Sequence, residues 1–100
     1  MSCQPETVVP TRVLIVDDNE SAREVLQSYV QDFNFEVSTV SSGEEAISEM
    51  KNALKTGSKL YDLVLMDWKM PGMNGIEAAR IIKKDAKLAK IPQIIMVTNY

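Results

Sequence analysis

The chain predicts an α/β fold, a doubly wound parallel sheet with helices on both faces. Two observations carry this. Apolar runs and amphipathic stretches alternate as β-α-β-α-β-α-β, with each connection one helix long. The first run, Val13-Leu14-Ile15-Val16, is apolar without alternation, as expected of a strand buried on both faces. Short loops and right-handed crossovers then leave an open parallel sheet as the simplest arrangement. With 100 residues, 45% of them hydrophobic, the chain fits one small domain.

Residues 1–11, carrying Pro5 and Pro10, read as a tail or linker, and the domain is expected over 12–100. After the first strand comes a helix from Ser21 to Phe33. Its Ala22, Val25, Leu26, Tyr29 and Phe33 follow the spacing of one buried helical face. Phe35–Val40 forms the second strand. Ser42 and Glu45 fit a capping box that starts the second helix, whose buried stripe is Ala46, Ile47, Met50, Ala53 and Leu54. Thr56-Gly57-Ser58 ends it, and Tyr61–Met66 is the third strand. Lys69-Met70-Pro71-Gly72-Met73-Asn74-Gly75 has one Pro and two Gly, so it is a shaped loop. The helix that follows runs to about Lys84, with Ile76, Ala79, Ile82 and Ala86 expected to face inward. Pro92 opens the fourth strand, Gln93–Thr98, where a missing N–H costs little.

The ends of these strands carry the chemistry. Asp17-Asp18 closes the first strand and Asp67 the third. Acids at the carboxyl end of a buried strand serve no packing purpose. In an open α/β sheet that end borders the crevice where ligands bind. In the flavodoxin-like order 2-1-3-4, the first and third strands are neighbours and the three carboxylates share that crevice. Two like charges about 4 Å apart repel by roughly 4 kcal/mol at an effective dielectric of 20. A cation, a shared proton or a function must offset this. The chain has no His, the commonest transition-metal ligand, so only oxygen ligands remain. Mg2+ accepts such a set, commonly with a phosphate oxygen.

Composition excludes several classes. A net charge of −3, without a basic run, argues against a nucleic-acid surface. No apolar stretch approaches the ~20 residues that span a bilayer, and the first residues lack signal-peptide regions. The lone Cys3 forms no internal disulfide, which suits a cytoplasmic protein.

Three segments together resemble a response-regulator receiver domain of the CheY-like superfamily. They are Val13-Leu14-Ile15-Val16-Asp17-Asp18-Asn19, then Tyr61 through Asp67-Trp68-Lys69-Met70-Pro71-Gly72-Met73-Asn74-Gly75, then Ile94-Ile95-Met96-Val97-Thr98. The likeness runs from Arg12 to the last residue. The Asp67 segment, with Ser41-Ser42-Gly43-Glu44-Glu45-Ala46 before it, is most similar to receivers joined to hybrid sensor histidine kinases.

The resemblance implies a phosphoacceptor of a two-component phosphorelay. Asp67 would accept the phosphoryl group from a phosphohistidine on a histidine kinase or histidine phosphotransfer partner. Asp18 would bind Mg2+ directly, Asp17 mostly through water, with Asp67 and the main-chain carbonyl of Lys69 completing the set. Thr98 would hydrogen-bond the phosphoryl group and carry the switch. Lys69 and Tyr100, two residues past the acceptor and the switch, would modulate phosphoryl lifetime, with the bulk of Tyr100 shielding the acyl phosphate. A carboxylate is a competent covalent acceptor, and being ionised near neutral pH it needs no general base.

The family continues past the switch Thr with a helix, a fifth strand bearing a phosphoryl-pairing Lys, and a last helix. Relative to that pattern the chain is expected to be a truncated receiver that phosphorylates poorly. Its apolar fourth strand would present an open edge, inviting self-association. An impaired interaction scaffold is the alternative reading. A Mg2+-dependent phosphohydrolase would place a second acid two residues past the nucleophile, where this chain has Lys69. A flavin or nucleotide module would need a Gly- or Ser/Thr-rich phosphate loop in place of Asp17-Asp18-Asn19-Glu20.

Overall fold

The computed structural model describes residues 11–57, 61–85 and 93–97. Its elements are β1 (Arg12–Val16), α1 (Glu20–Gln31), β2 (Glu36–Val40), α2 (Gly43–Thr56), β3 (Leu63–Asp67), α3 (Gly75–Lys84) and β4 (Gln93–Val97). All strand pairs are parallel and the sheet order is β2-β1-β3-β4, as the sequence predicts. Among the described residues no helix is long and apolar enough to cross a membrane.

β1 is the spine. Val13, Leu14, Ile15 and Val16 are almost wholly buried, which follows from a central strand covered on both faces. On one face Leu14, Val16, Val64 and Met66 meet Ala46, Ile47 and Met50 of α2 and Ala78 and Ile82 of α3 in one core cluster. Met70, from the loop after β3, is drawn into the same cluster. Leu54, expected in the buried stripe of α2, packs against the cluster while only partly buried.

The helix starts follow local chemistry with one departure. Asn19 caps α1, its side chain accepting the N–H of Ala22 at 3.0 Å. At α2, Ser42 accepts the Glu45 N–H at 3.1 Å, but Glu45 reaches one residue further back than a capping box requires. Its carboxylate takes the N–H and hydroxyl of Ser41, both at 2.8 Å. The complete reciprocal box belongs to α3, between Asn74 and Glu77. Gly57 closes α2 at φ 73°, a left-handed conformation that glycine adopts without penalty.

Two expectations about buried faces need correction. In α3 the inward residues are Gly75, Ala78 and Ile82, while Ile76 is 43% exposed and Ala79 only partly covered. Small residues lie where α3 meets α2 and the end of β3. A Cβ on Gly43 would stand 3.1 Å from that of Ala78. Ala86 lies outside the described residues. The second correction concerns α1, which buries none of its residues. Val25 is 54% and Tyr29 65% exposed, and Phe33 falls beyond the helix end, exposed and stacked on Phe35. The described residues place no second helix beside α1 on its face of the sheet, so no described element covers its outer stripe.

Candidate functional site

Parallel register assembles the site. Val16 pairs with Met66, so Asp17 and Asp67 emerge side by side at the carboxyl edge. Asp67 in turn is paired with Val97 of β4. The Asp17 N–H donates to the Val40 carbonyl at 3.2 Å, which ties the end of β1 to the end of β2. One carboxylate oxygen each from Asp17, Asp18 and Asp67 can be chosen so that all lie within 4.8 Å of one another. Asp17 is 2% exposed and Asp67 6%, whereas Asp18 is open to solvent.

Local turns aim these groups. Asp17 Oδ1 accepts the N–H of Asn19 at 2.9 Å, while Asp67 Oδ1 accepts that of Lys69 at 3.2 Å. Each acid therefore folds back on the loop that follows its strand. Burial pushes the Asp67 carboxyl above the ordinary value. The Lys69 N–H opposes this, and the charges of Asp17 and Asp18 add to the rise. A cation among the three would relieve that repulsion. An all-oxygen donor set, free of imidazole and thiolate, fits Mg2+.

Lys69 follows β3 with its side chain exposed, its Nζ 5.3 Å from the centroid of the Trp68 ring. Trp68 is partly buried beside Asp67, and Met70 anchors the loop in the core. Thr98 and Tyr100, the predicted switch and shield, lie outside the described residues.

Two residues the sequence did not single out shape the site. Gly75, the first residue of α3, donates its N–H to the Trp68 carbonyl at 3.1 Å. A Cβ there would stand 2.5 Å from the Asp67 carbonyl oxygen and 2.8 Å from the Trp68 Cα. The helix therefore seats directly on the Asp67–Trp68 backbone only because position 75 has no side chain. A glycine inside the first turn, where propensity disfavours it, was the available signal. Arg23 of α1 donates through Nη1 to the Asp17 carbonyl oxygen at 2.7 Å. An Arg on a polar helix face reads as a solvated charge, so no local signal marked it.

Residues 13–100 match the family model described as response regulator receiver domain. The transcriptional regulatory protein ResD of Bacillus subtilis is 36% identical over 88 residues, which are 88% of this chain and 32% of ResD. The chain thus spans about a third of that curated relative's length. Among solved structures, the receiver domain of the Arabidopsis thaliana histidine kinase CKI1, complexed with Mg2+ and beryllium fluoride, is 35% identical with a TM-score of 0.78. That likeness covers 90% of this chain and 66% of the other. A chain from the crystal structure of the histidine kinase ThkA with the response regulator TrrA is 39% identical at a TM-score of 0.71, covering 90% and 70% of the two. The family match spans the four strands whose edge gathers the acids, and the sheet order is shared with solved receivers. On both grounds this chain belongs to the response regulator receiver domains of two-component signalling.

Proposed function

We propose that Asp67 accepts a phosphoryl group from a phosphohistidine on a histidine kinase or histidine phosphotransfer protein. The observation that carries this is the convergence of three carboxylate oxygens within 4.8 Å at the carboxyl edge of β1 and β3. Asp17, Asp18, one oxygen of Asp67 and the main-chain carbonyl of Lys69 would hold Mg2+. When bound, the ion neutralises charge on the phosphoryl oxygens and helps hold the group in line.

This chain's residues supply the rest. The Asp67 oxygen not engaged with the cation would form the bond to phosphorus as the P–N bond of the donor breaks, its electron pair returning to the imidazole. Asp17 and Asp18 would serve the cation rather than phosphorus. Thr98, one residue past the Val97 that pairs with Asp67, would take a phosphoryl oxygen and carry the switch. The relatives from a kinase receiver and from a kinase–regulator complex support a histidine kinase partner.

The test is a Mg2+ titration followed by Trp68 fluorescence, then intact mass after incubation with acetyl phosphate. The expected result is Mg2+-dependent quenching and the gain of one phosphoryl group, with the mass gain abolished in Asp67→Asn. Phosphorylation that survives in Asp67→Asn would place the acceptor elsewhere. Quenching without any mass gain would favour the interaction-scaffold reading.

A further inference from the structure

The Arg23 contact concerns the backbone of the acid pair rather than its carboxylates. The oxygen that Arg23 Nη1 engages at 2.7 Å belongs to the peptide joining Asp17 to Asp18. A peptide unit is planar, so fixing its oxygen constrains the directions of both flanking Cα atoms. Asp17 is already held by its N–H to Val40 and by the Asn19 N–H on Oδ1. Asp18 is exposed, so packing does not orient its carboxylate. Its direction depends on the peptide plane that precedes it.

We infer that Arg23 is a positioning residue: by clamping the Asp17 carbonyl it sets the 17–18 peptide plane and aims the Asp18 carboxylate at Asp17 and Asp67. The inference rests on reading the three acids as a cation site. Arg suits the task because its planar guanidinium loses little freedom per bond formed. The same charge helps hold the Glu45 carboxyl below its usual range, after the larger effects of the Ser41 N–H and hydroxyl. Arg23 therefore acts between the first crossover and the start of α2.

Charge and geometry have opposite signs here, which makes the inference testable. A cation near the site repels Mg2+, so its removal should tighten binding if charge alone mattered. If the clamp matters, its removal weakens binding. The experiment uses the whole chain, unaltered and as Arg23→Met and Arg23→Lys.

The first measurement is amide hydrogen exchange by NMR in chelator, without metal. Arg23→Met should speed exchange of the Asn19 N–H about tenfold, the loss of one charge-assisted bond, while Val13 to Ile15 stay protected. The second is Mg2+ affinity, which Arg23→Met should weaken about tenfold, as removal of an outer partner of a metal ligand does. Arg23→Lys, which keeps the charge and a donor, should recover most of both effects. Unchanged exchange at Asn19, or Mg2+ binding in Arg23→Met as tight as or tighter than in the unaltered chain, overturns the inference. If the unaltered chain binds no Mg2+, the cation-site reading fails, and exchange at Asn19 still decides the clamp.

Discussion

The two faces of the sheet treat their helices differently. On one, α2 and α3 enclose Ala46, Met50, Ala78 and Ile82 completely, Gly43 lets α2 approach Ala78, and Gly75 lets α3 approach the backbone of Asp67 and Trp68. On the other, α1 follows an apolar spacing of the same kind yet buries no residue, leaving Val25 and Tyr29 more than half exposed. Apolar periodicity specifies which stripe of a helix can be covered; cover itself requires a neighbour. The acidic site spans both regimes. Asp67 leads into a loop pinned by α3 and Met70, whereas Asp17-Asp18 leads into α1, where polar contacts from Asn19 and Arg23 hold the turn.

The contrast can be broken at its tight side first. Ile82→Ala removes a fully buried side chain between α3 and the sheet, and should cost about 2–5 kcal/mol by urea unfolding. A smaller loss would mean that this face is looser than its burial implies. Gly75→Ala comes next. Its Cβ must displace the backbone of Asp67 and Trp68, for about 1–3 kcal/mol. The displaced loop should also weaken Mg2+ quenching of Trp68, an effect that Ile82→Ala largely spares.

Asp67→Asn should act in the opposite direction. In the metal-free protein the Asp67 carboxyl is raised, chiefly by burial, so the folded state holds that proton more tightly than the unfolded state. Stability is then lost as pH rises from the ordinary carboxylate value through the raised one, and the ionised side chain opposes folding at neutral pH. The Asn variant should be the more stable protein at pH 7 in chelator. Its advantage should vanish below the ordinary carboxylate value. Urea midpoints across pH test the sign, and an Asn variant less stable at neutral pH would contradict it.

The smallest effect belongs to the open face. Val25→Ser with Tyr29→Ser should change stability by no more than about 0.5 kcal/mol, because neither side chain is buried. A larger loss would show that α1 has cover that its exposure conceals.

Much of the molecule was legible in its residues. The uninterrupted apolar run at Val13–Val16 marked the central strand, and Ala46, Ile47, Met50 and Ala53 marked the buried side of α2. Asp17, Asp18 and Asp67 stood out because no packing rule places acids at the ends of such runs. Local spacing was a poorer guide where elements pack closely. α3 turns Gly75 and Ala78 inward in place of Ile76 and Ala79, the small residues standing where it approaches α2 and the end of β3. The reciprocal partner of Glu45 also slipped by one residue, to the N–H and hydroxyl of Ser41.

Sequence alone determined the order of elements, the all-oxygen character of the site and the identity of its three acids, because these follow from residue type and short-range period. Tertiary structure decided the register that sets Asp17 beside Asp67, fifty positions apart, and the exposure of the α1 stripe. It also decided the demand for a bare Cα at Gly75 and the reach of Arg23 to a neighbouring carbonyl. Those features arise from contacts between different elements of the fold, some of them remote in the chain. No window of a few residues contains the energy that selects them.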